Sequence, residues 1–84
     1  MEDIKFKEGD YIINRKANDM AIVKGISKKG YYQFSVYYNS MFDDLYDLKN
    51  ITYELQVNYQ KFWDFCTDKE KEKFDKIIKK KGEN

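Results

Sequence analysis

Residues 31–38, Tyr31-Tyr32-Gln33-Phe34-Ser35-Val36-Tyr37-Tyr38, carry the strongest strand pattern in the chain. This stretch consists largely of aromatic and β-branched residues, which strands favour. Successive side chains of a strand point to opposite faces of the sheet. One face would carry Tyr32, Phe34, Val36 and Tyr38, and the other Tyr31, Gln33, Ser35 and Tyr37. We therefore predict a half-buried strand whose first set of side chains forms the core.

Turn signals before this strand predict two further strands. The sequence Ser27-Lys28-Lys29-Gly30 indicates a hairpin loop in which Gly30 takes the positive φ that closes the turn. Residues 9–14 and 20–27 are rich in β-branched side chains, and the polar residues 15–19 separate them. These two segments are predicted strands.

The segments after residue 38 are less uniform. Residues 41–48 are ambiguous, because Phe42, Leu45 and Leu48 have helical spacing, but the short length favours a strand. A turn is predicted at Lys49-Asn50. Residues 51–58 then alternate between apolar and polar side chains, which predicts a half-buried antiparallel strand from Ile51.

A C-terminal helix is predicted over residues 67–81. Thr67 and Glu70 have the spacing of a capping box, and Gly82 follows the last turn. Phe74, Ile77 and Ile78 form a narrow apolar stripe. Residues 59–66, with Tyr59, Phe62, Trp63 and Cys66, form an aromatic connector that is either a short helical turn or a linker pinned to the sheet.

These elements predict one domain over residues 1–84, in a mainly β (α+β) class. Residues 1–58 would form a small antiparallel SH3-like barrel of about five strands. The connector would cover residues 59–66, and the helix residues 67–81. A closed or nearly closed barrel would hide the edges that so many strand-forming residues otherwise expose.

The composition argues against an enzyme. The chain of 84 residues has no histidine and one cysteine, so it holds no Ser-His or Cys-His pair and no imidazole metal ligand. Its net charge of +1 predicts no attraction of the whole molecule to nucleic acid or membrane. A lone Cys66 and an N-terminal Met1–Lys5 stretch without an apolar run favour a cytoplasmic protein. We expect no cofactor and no membrane partner.

Asp43, Asp44 and Asp47 form the one local carboxylate cluster with Glu54 nearby. Carboxylate oxygens bind Mg²⁺, but on a strand Asp44 would point away from the other two, which opposes a metal site. A solvated acidic edge that discourages aggregation is the simplest interpretation. A docking site for a basic partner is the functional interpretation that we prefer.

Two stretches carry a resemblance to a known group of proteins. Residues 6–12, Phe6-Lys7-Glu8-Gly9-Asp10-Tyr11-Ile12, look like an F-K-x-G-D-x-I strand start, and residues 63–71, Trp63-Asp64-Phe65-Cys66-Thr67-Asp68-Lys69-Glu70-Lys71, look like a W-R-x-A-T-x-E-E-K helix start. Both resemble small, mostly uncharacterised SH3-like-barrel proteins of Bacteroidetes and their phages. Cys66 stands where Ala is usual, and Asp64 where Arg is usual. Both motifs are structural, so the resemblance implies a fold and no activity.

We predict a non-enzymatic protein-binding module, one form of which is a phage or mobile-element inhibitor of a host protein. Tyrosine on an exposed sheet face suits a protein interface. Coverage of this face by the helix or the connector is the simpler interpretation, and the sequence leaves both open, as it does the choice between monomer and homodimer. The predicted protein-binding residues are Tyr31, Tyr37, Asp43, Asp44 and Asp47.

The alternative is a module that binds single-stranded nucleic acid, RNA or DNA. Tyr31 and Tyr37 would stack on bases, and lysines would contact phosphates. For Lys79–Lys81, favourable charge at the helix C-terminus is a sufficient explanation without a partner. The residues of this alternative site are Lys24, Lys28, Lys29, Tyr31, Tyr37, Lys79, Lys80 and Lys81.

Overall fold

A computed structural model describes residues 3–48 and 53–82, and in this part of the chain it contains six strands, a 3₁₀ helix and an α-helix. The strands are β1 Tyr11–Asn14, β2 Asp19–Ile26, β3 Tyr31–Asn39, β4 Asp44–Asp47, β5 Glu54–Gln56 and β6 Asp64–Phe65. The 3₁₀ helix covers Val57–Phe62, and α1 covers Asp68–Gly82. The predicted antiparallel sheet with one C-terminal helix is confirmed.

The predicted strand 31–38 is the centre of the sheet, as β3. It pairs with β2 along one edge, while β4 and β5 share its other edge, opposite residues 36–39 and 31–33. β1 pairs with β2 and with β6, which gives the order β4-β3-β2-β1-β6. No pairing among residues 3–48 and 53–82 joins β6 to β4 or β5, so the sheet is open.

Two β-bulges change which side chains of β3 reach the core. Register shifts leave Ser35 without a partner residue in β2, and Lys24 without one in β3. An extra residue moves the following side chains to the other face. Tyr37 therefore joins Tyr32 in the core, where it is 8% exposed. The prediction that Tyr37 shares an outer face with Tyr31 was wrong for this reason.

The first core cluster ties the N-terminal segment to the sheet. The hydroxyl of Tyr32, fully buried, accepts the backbone N–H groups of Lys5 at 2.8 Å and Phe6 at 3.2 Å, and it donates to the side chain of Gln60. These bonds satisfy the buried polar groups and fix the 3₁₀ helix against β3. The buried members of the cluster are Phe6, Ile12, Ala21, Val23, Tyr32, Phe34, Tyr37, Leu48 and Trp63.

The second core cluster lies on the other face of the sheet, under α1. Phe74 is fully buried there, and Ile77 and Ile78 pack beside it, as the apolar stripe predicts. Val36 and Tyr38 pack against this cluster rather than sharing the face of Tyr32 and Phe34, which corrects their predicted position. The bulge at Ser35 is again the cause. The buried members are Ile13, Met20, Cys66 and Phe74.

The capping box at the start of α1 is confirmed. The Glu70 N–H donates to Thr67 Oγ1 at 3.2 Å, and the Thr67 N–H donates to Glu70 Oε1 at 2.8 Å. The Arg15 guanidinium also pairs with both carboxylate oxygens of Glu70, and this contact is the main reason that the pKa of Glu70 is lowered. A bidentate ion pair therefore joins Arg15, directly after β1, to Glu70 in the first turn of α1. No helix in the described part of the chain has the length and apolarity to cross a membrane.

Three sequence predictions need adjustment around the sheet. The strand predicted over residues 51–58 ends earlier, since β5 is Glu54–Gln56 and Val57 already begins the 3₁₀ helix. The connector 59–66 combines both alternatives, because it ends that helix and then pairs with β1 as β6. In residues 41–48, only Asp44–Asp47 is a strand. Met1, Glu2, the turn at Lys49-Asn50 and Ile51 lie outside the described residues.

Candidate functional site

The turn between β3 and β4 presents two large apolar side chains to solvent. Met41 is 83% exposed and Phe42 is 67% exposed, and they are consecutive residues of the four-residue turn 40–43, named here the Met–Phe turn. Single exposed apolar residues are ordinary, but an exposed pair of this size at one tip is a candidate contact surface. Asp43 and Asp44, both exposed, follow directly.

One carboxylate anchors the first half of the Met–Phe turn. Asp19, at the start of β2, accepts the Ser40 N–H at 2.9 Å through Oδ1 and the Tyr37 hydroxyl at 2.8 Å through Oδ2. Because Tyr37 is a core side chain, this carboxylate connects the turn to the first core cluster. Burial and the hydrogen bond to Asp19 both raise the pKa of Tyr37, so its hydroxyl stays protonated and keeps donating at neutral pH.

A second carboxylate anchors the other half. Asp43 has a positive φ of 52°, a conformation that Asp tolerates better than most residues. Its side chain accepts from the Tyr38 hydroxyl and from Lys81 Nζ, the latter at 3.1 Å. The Tyr38 hydroxyl first and Lys81 second lower the pKa of Asp43, and the same bond to Asp43 raises the pKa of Tyr38 to about 12.

Local bonds complete the turn. The Phe42 N–H donates to Asn39 Oδ1 at 3.4 Å, and the Asn18 side-chain amide donates to Ser40 Oγ at 3.4 Å. The turn is therefore bonded to β2, to β3, to the preceding β1–β2 turn and to the end of α1. Such bonds hold Met41 and Phe42 in place without covering them, which reduces the conformational entropy lost on binding.

The predicted protein-binding residues do not form one surface. Asp43 and Asp44 flank the Met–Phe turn, and Asp47 lies at the far end of β4. Tyr37 is buried, and its ring is covered by Tyr53 at 4.7 Å between ring centroids and also contacts Trp63. Tyr31 lies opposite Gln56, at the other end of β3.

The predicted nucleic-acid residues are also dispersed. Lys24 lies at the bulge of β2, and Lys28 and Lys29 lie in the β2–β3 loop. Lys81 contacts Asp43 beside the Met–Phe turn, at the opposite end of β3. β3 runs from Tyr31 to Asn39, and at about 3.3 Å per residue its two ends are separated by roughly 26 Å. Tyr37, inside the core, offers no free ring face for a base.

The described residues contain few groups suited to covalent or metal chemistry. Burial is the main cause that raises the pKa of Cys66 to about 11, so its thiol is protonated and weakly nucleophilic at neutral pH. Among residues 3–48 and 53–82, no three acidic or cysteine side chains lie together as metal ligands would.

Sequence reasoning missed Met41 and Phe42 as exposed residues. The spacing of Phe42, Leu45 and Leu48 leaves residues 41–48 ambiguous between helix and strand, and neither pattern marks Met41 and Phe42 as exposed. A usable signal was present, because an apolar pair stands between the Asn39-Ser40 turn residues and two aspartates. Comparison of the chain with known protein families, with curated proteins and with solved structures gave no match.

Proposed function

We propose that this chain is a non-enzymatic protein-binding module and that the Met–Phe turn is its contact point. The observation that carries the proposal is the exposure of Met41 and Phe42, at 83% and 67%, on a turn anchored by two carboxylates. Protein interfaces are enriched in aromatic residues and Met at their centre. A pair held rigidly loses less entropy when it binds than a floppy loop would.

The expected partner has an apolar pocket with a basic rim. Met41 and Phe42 would fill the pocket, because binding energy concentrates in a few apolar anchors. Asp44, which is exposed close to them, would face positive charge on the partner, whereas the Asp43 carboxylate already pairs with Lys81. The net charge of +1 supplies no general attraction to basic proteins, so the complementarity is confined to this tip.

We further propose that this open sheet is curled into a partly closed, SH3-like barrel. Two bulges bend β2 and β3, and bends of this kind let a small sheet curl. The last strand, β6, returns to pair with β1, and the long β3 is bonded along one edge by two successive strands. A barrel presents its turns at its ends, which suits a contact made by a turn.

Affinity capture from a lysate of the source cells tests the proposed function. Tagged wild-type chain, the double variant Met41→Ser/Phe42→Ser and the control Lys28→Ser/Lys29→Ser are compared after nuclease treatment. We expect one protein to be retained by the wild type and the control and to be lost with the Met41/Phe42 variant. Equal retention by all three chains would remove the Met–Phe turn from the interface.

A further inference from the structure

Four lysines form a straight stripe along the outer side of α1. Lys69, Lys73, Lys76 and Lys80 are all exposed, and they are separated by four, three and four residues. At about 100° per residue these positions fall within about 60° of one another around the helix axis. Eleven residues at about 1.5 Å each give the stripe a length of roughly 16 Å.

The structure brings these lysines together around one open depression. Its volume is about 480 Å³, and it is lined by the four lysines with Glu72 and Ile77. Within residues 3–48 and 53–82, none of the four ammonium groups takes part in an ion pair or hydrogen bond. One carboxylate against four ammonium groups gives the lining of the depression an excess of three positive charges, although the whole chain carries only +1 and the charge of Lys80 also helps to lower the pKa of Asp43.

Two other acidic side chains of α1 have partners outside the depression, and Asp68 does not line it. Glu70 pairs with Arg15, and Asp75 accepts the Tyr11 hydroxyl at 2.6 Å. The run Lys79–Lys81 is not one unit, because successive helix positions differ by about 100° and Lys81 contacts Asp43. Only Lys80 of that run belongs to the stripe.

We infer that the lysine stripe binds the phosphate backbone of double-stranded DNA. Counting both strands, B-DNA carries one phosphate per about 1.7 Å of its axis, so a row of roughly 16 Å lies beside a duplex segment that carries about nine phosphates, more than the four ammonium groups need. The stripe contains no aromatic side chain, whereas proteins that bind single strands combine charge with stacking platforms. Phosphate contacts carry no sequence information, so binding is independent of sequence.

The site is separate from the Met–Phe turn, so the two proposals can fail separately. The test is fluorescence anisotropy of a labelled 24-base-pair duplex of arbitrary sequence, titrated with full-length chain at 50, 100 and 200 mM NaCl, conditions in which phosphate contacts dominate. The stripe variant is Lys69→Gln/Lys73→Gln/Lys76→Gln/Lys80→Gln. The control is Lys24→Gln/Lys28→Gln/Lys29→Gln/Lys79→Gln, which removes the same charge.

We expect wild-type affinity to fall with salt with a log–log slope of about −3 to −4, since four phosphate contacts give about −0.9 each. The stripe variant should lose at least about tenfold in affinity at 50 mM NaCl and most of that slope, while the control should lose less than about threefold. Replacement of the four lysines by Arg keeps the charge and should keep binding. Met41→Ser/Phe42→Ser should leave DNA binding unchanged.

Four results would overturn the inference. Two concern the duplex: no binding by the wild type at 50 mM NaCl, or equal losses of duplex affinity in the stripe variant and the control. The other two concern competing ligands: tighter binding of a single strand of the same length, or equally tight, stripe-dependent binding of polyglutamate. Circular dichroism of the stripe variant checks the fold. Gln has a helix propensity close to that of Lys, so its melting curve should match the wild type.

Discussion

The two turns at the ends of β3 both reverse the direction of the chain, but they differ in exposed side chains and in hydrogen bonds. The β2–β3 loop, residues 27–30, exposes Lys28 and Lys29 and is closed mainly by bonds with β3 and within the loop, such as Gly30 N–H to Ser27 O at 2.9 Å and Ser27 N–H to Tyr31 O at 2.8 Å. The Met–Phe turn exposes two apolar side chains and is bonded to β2, to β3, to the β1–β2 turn and to α1.

The β2–β3 loop has only the bonds that a connection between two strands needs, whereas the Met–Phe turn, the proposed contact site, has more. Reversal of the chain needs only local hydrogen bonds and a residue with positive φ, which Gly30 supplies at 83°. Additional bonds to four other parts of the molecule are unnecessary for reversal. Together with the exposed apolar pair, they are the reason that we propose the Met–Phe turn as the contact point.

The largest expected effect is loss of partner binding in Met41→Ser/Phe42→Ser. Two central apolar anchors should contribute enough that affinity for the captured partner falls by roughly 100-fold or more. The free energy of unfolding should change by less than about 0.5 kcal/mol, because both side chains are exposed in the free chain. Isothermal titration calorimetry and urea unfolding measure the two quantities.

The matched variant at the other turn is Lys28→Ser/Lys29→Ser, which should leave both affinity and stability unchanged. If it weakened binding as much as the Met41/Phe42 variant does, the two turns would be equivalent and the comparison would fail.

A smaller effect is expected when the anchor of the Met–Phe turn is removed. In Asp19→Ala, the Ser40 N–H and the buried Tyr37 hydroxyl both lose their acceptor, which should cost about 2–3 kcal/mol of unfolding free energy. Affinity for the partner should fall by roughly three- to tenfold, because the free turn becomes less ordered.

Asp10→Ala is the control for this anchor. Asp10 accepts one exposed N–H, that of Lys7 at 2.9 Å, so its removal should cost less than about 1 kcal/mol. Equal destabilisation by the two alanine variants would show that Asp19 is not a special anchor.

The smallest expected effect is local and depends on pH. The folded-state pKa of Asp43 lies below its ordinary value of 3.8, so its bonds with Tyr38 and Lys81 are intact above that pH and are lost as pH falls through the lowered pKa. The amide signals of Phe42 and Asp43 should therefore shift with a midpoint below 3.8 in a ¹H–¹⁵N NMR titration from pH 6 to 2.5.

Amide signals of the β2–β3 loop, which contains no carboxylate, provide the internal reference. In Asp43→Asn the shift of the Phe42 amide with this lowered midpoint should disappear. A midpoint above 3.8 in the wild type would contradict the lowered pKa and the anchoring role of Asp43.

The sequence predicts the strands and the helix better than it predicts which face of the sheet each side chain occupies. Local patterns determine β3 and the capped helix, because Thr67 and Glu70 act within one turn and the aromatic run has few alternatives to a strand. The burial of Tyr37 depends on the bulge at Ser35, which exists only through pairing with β2. A register shift of this kind leaves no mark in the strand's own alternation.

Of the candidate site, only the acidic residues next to the exposed apolar pair were predicted from the sequence. Asp43 and Asp44 stood out as charges, but the exposure of Met41 and Phe42 follows from where β3 ends and β4 begins, which pairing decides. The lysine stripe was present in the spacing of residues 69, 73, 76 and 80. It was hidden by the more conspicuous run Lys79–Lys81, whose members point in different directions around α1.

Site-specific photo-crosslinking tests the central claim most directly. A benzophenone amino acid replaces Phe42 in one chain and Lys28 in another, so that each of the two turns of β3 carries the probe once. We expect a covalent adduct with the captured partner from position 42 and none from position 28. An adduct from position 28 with none from position 42 would contradict the proposal.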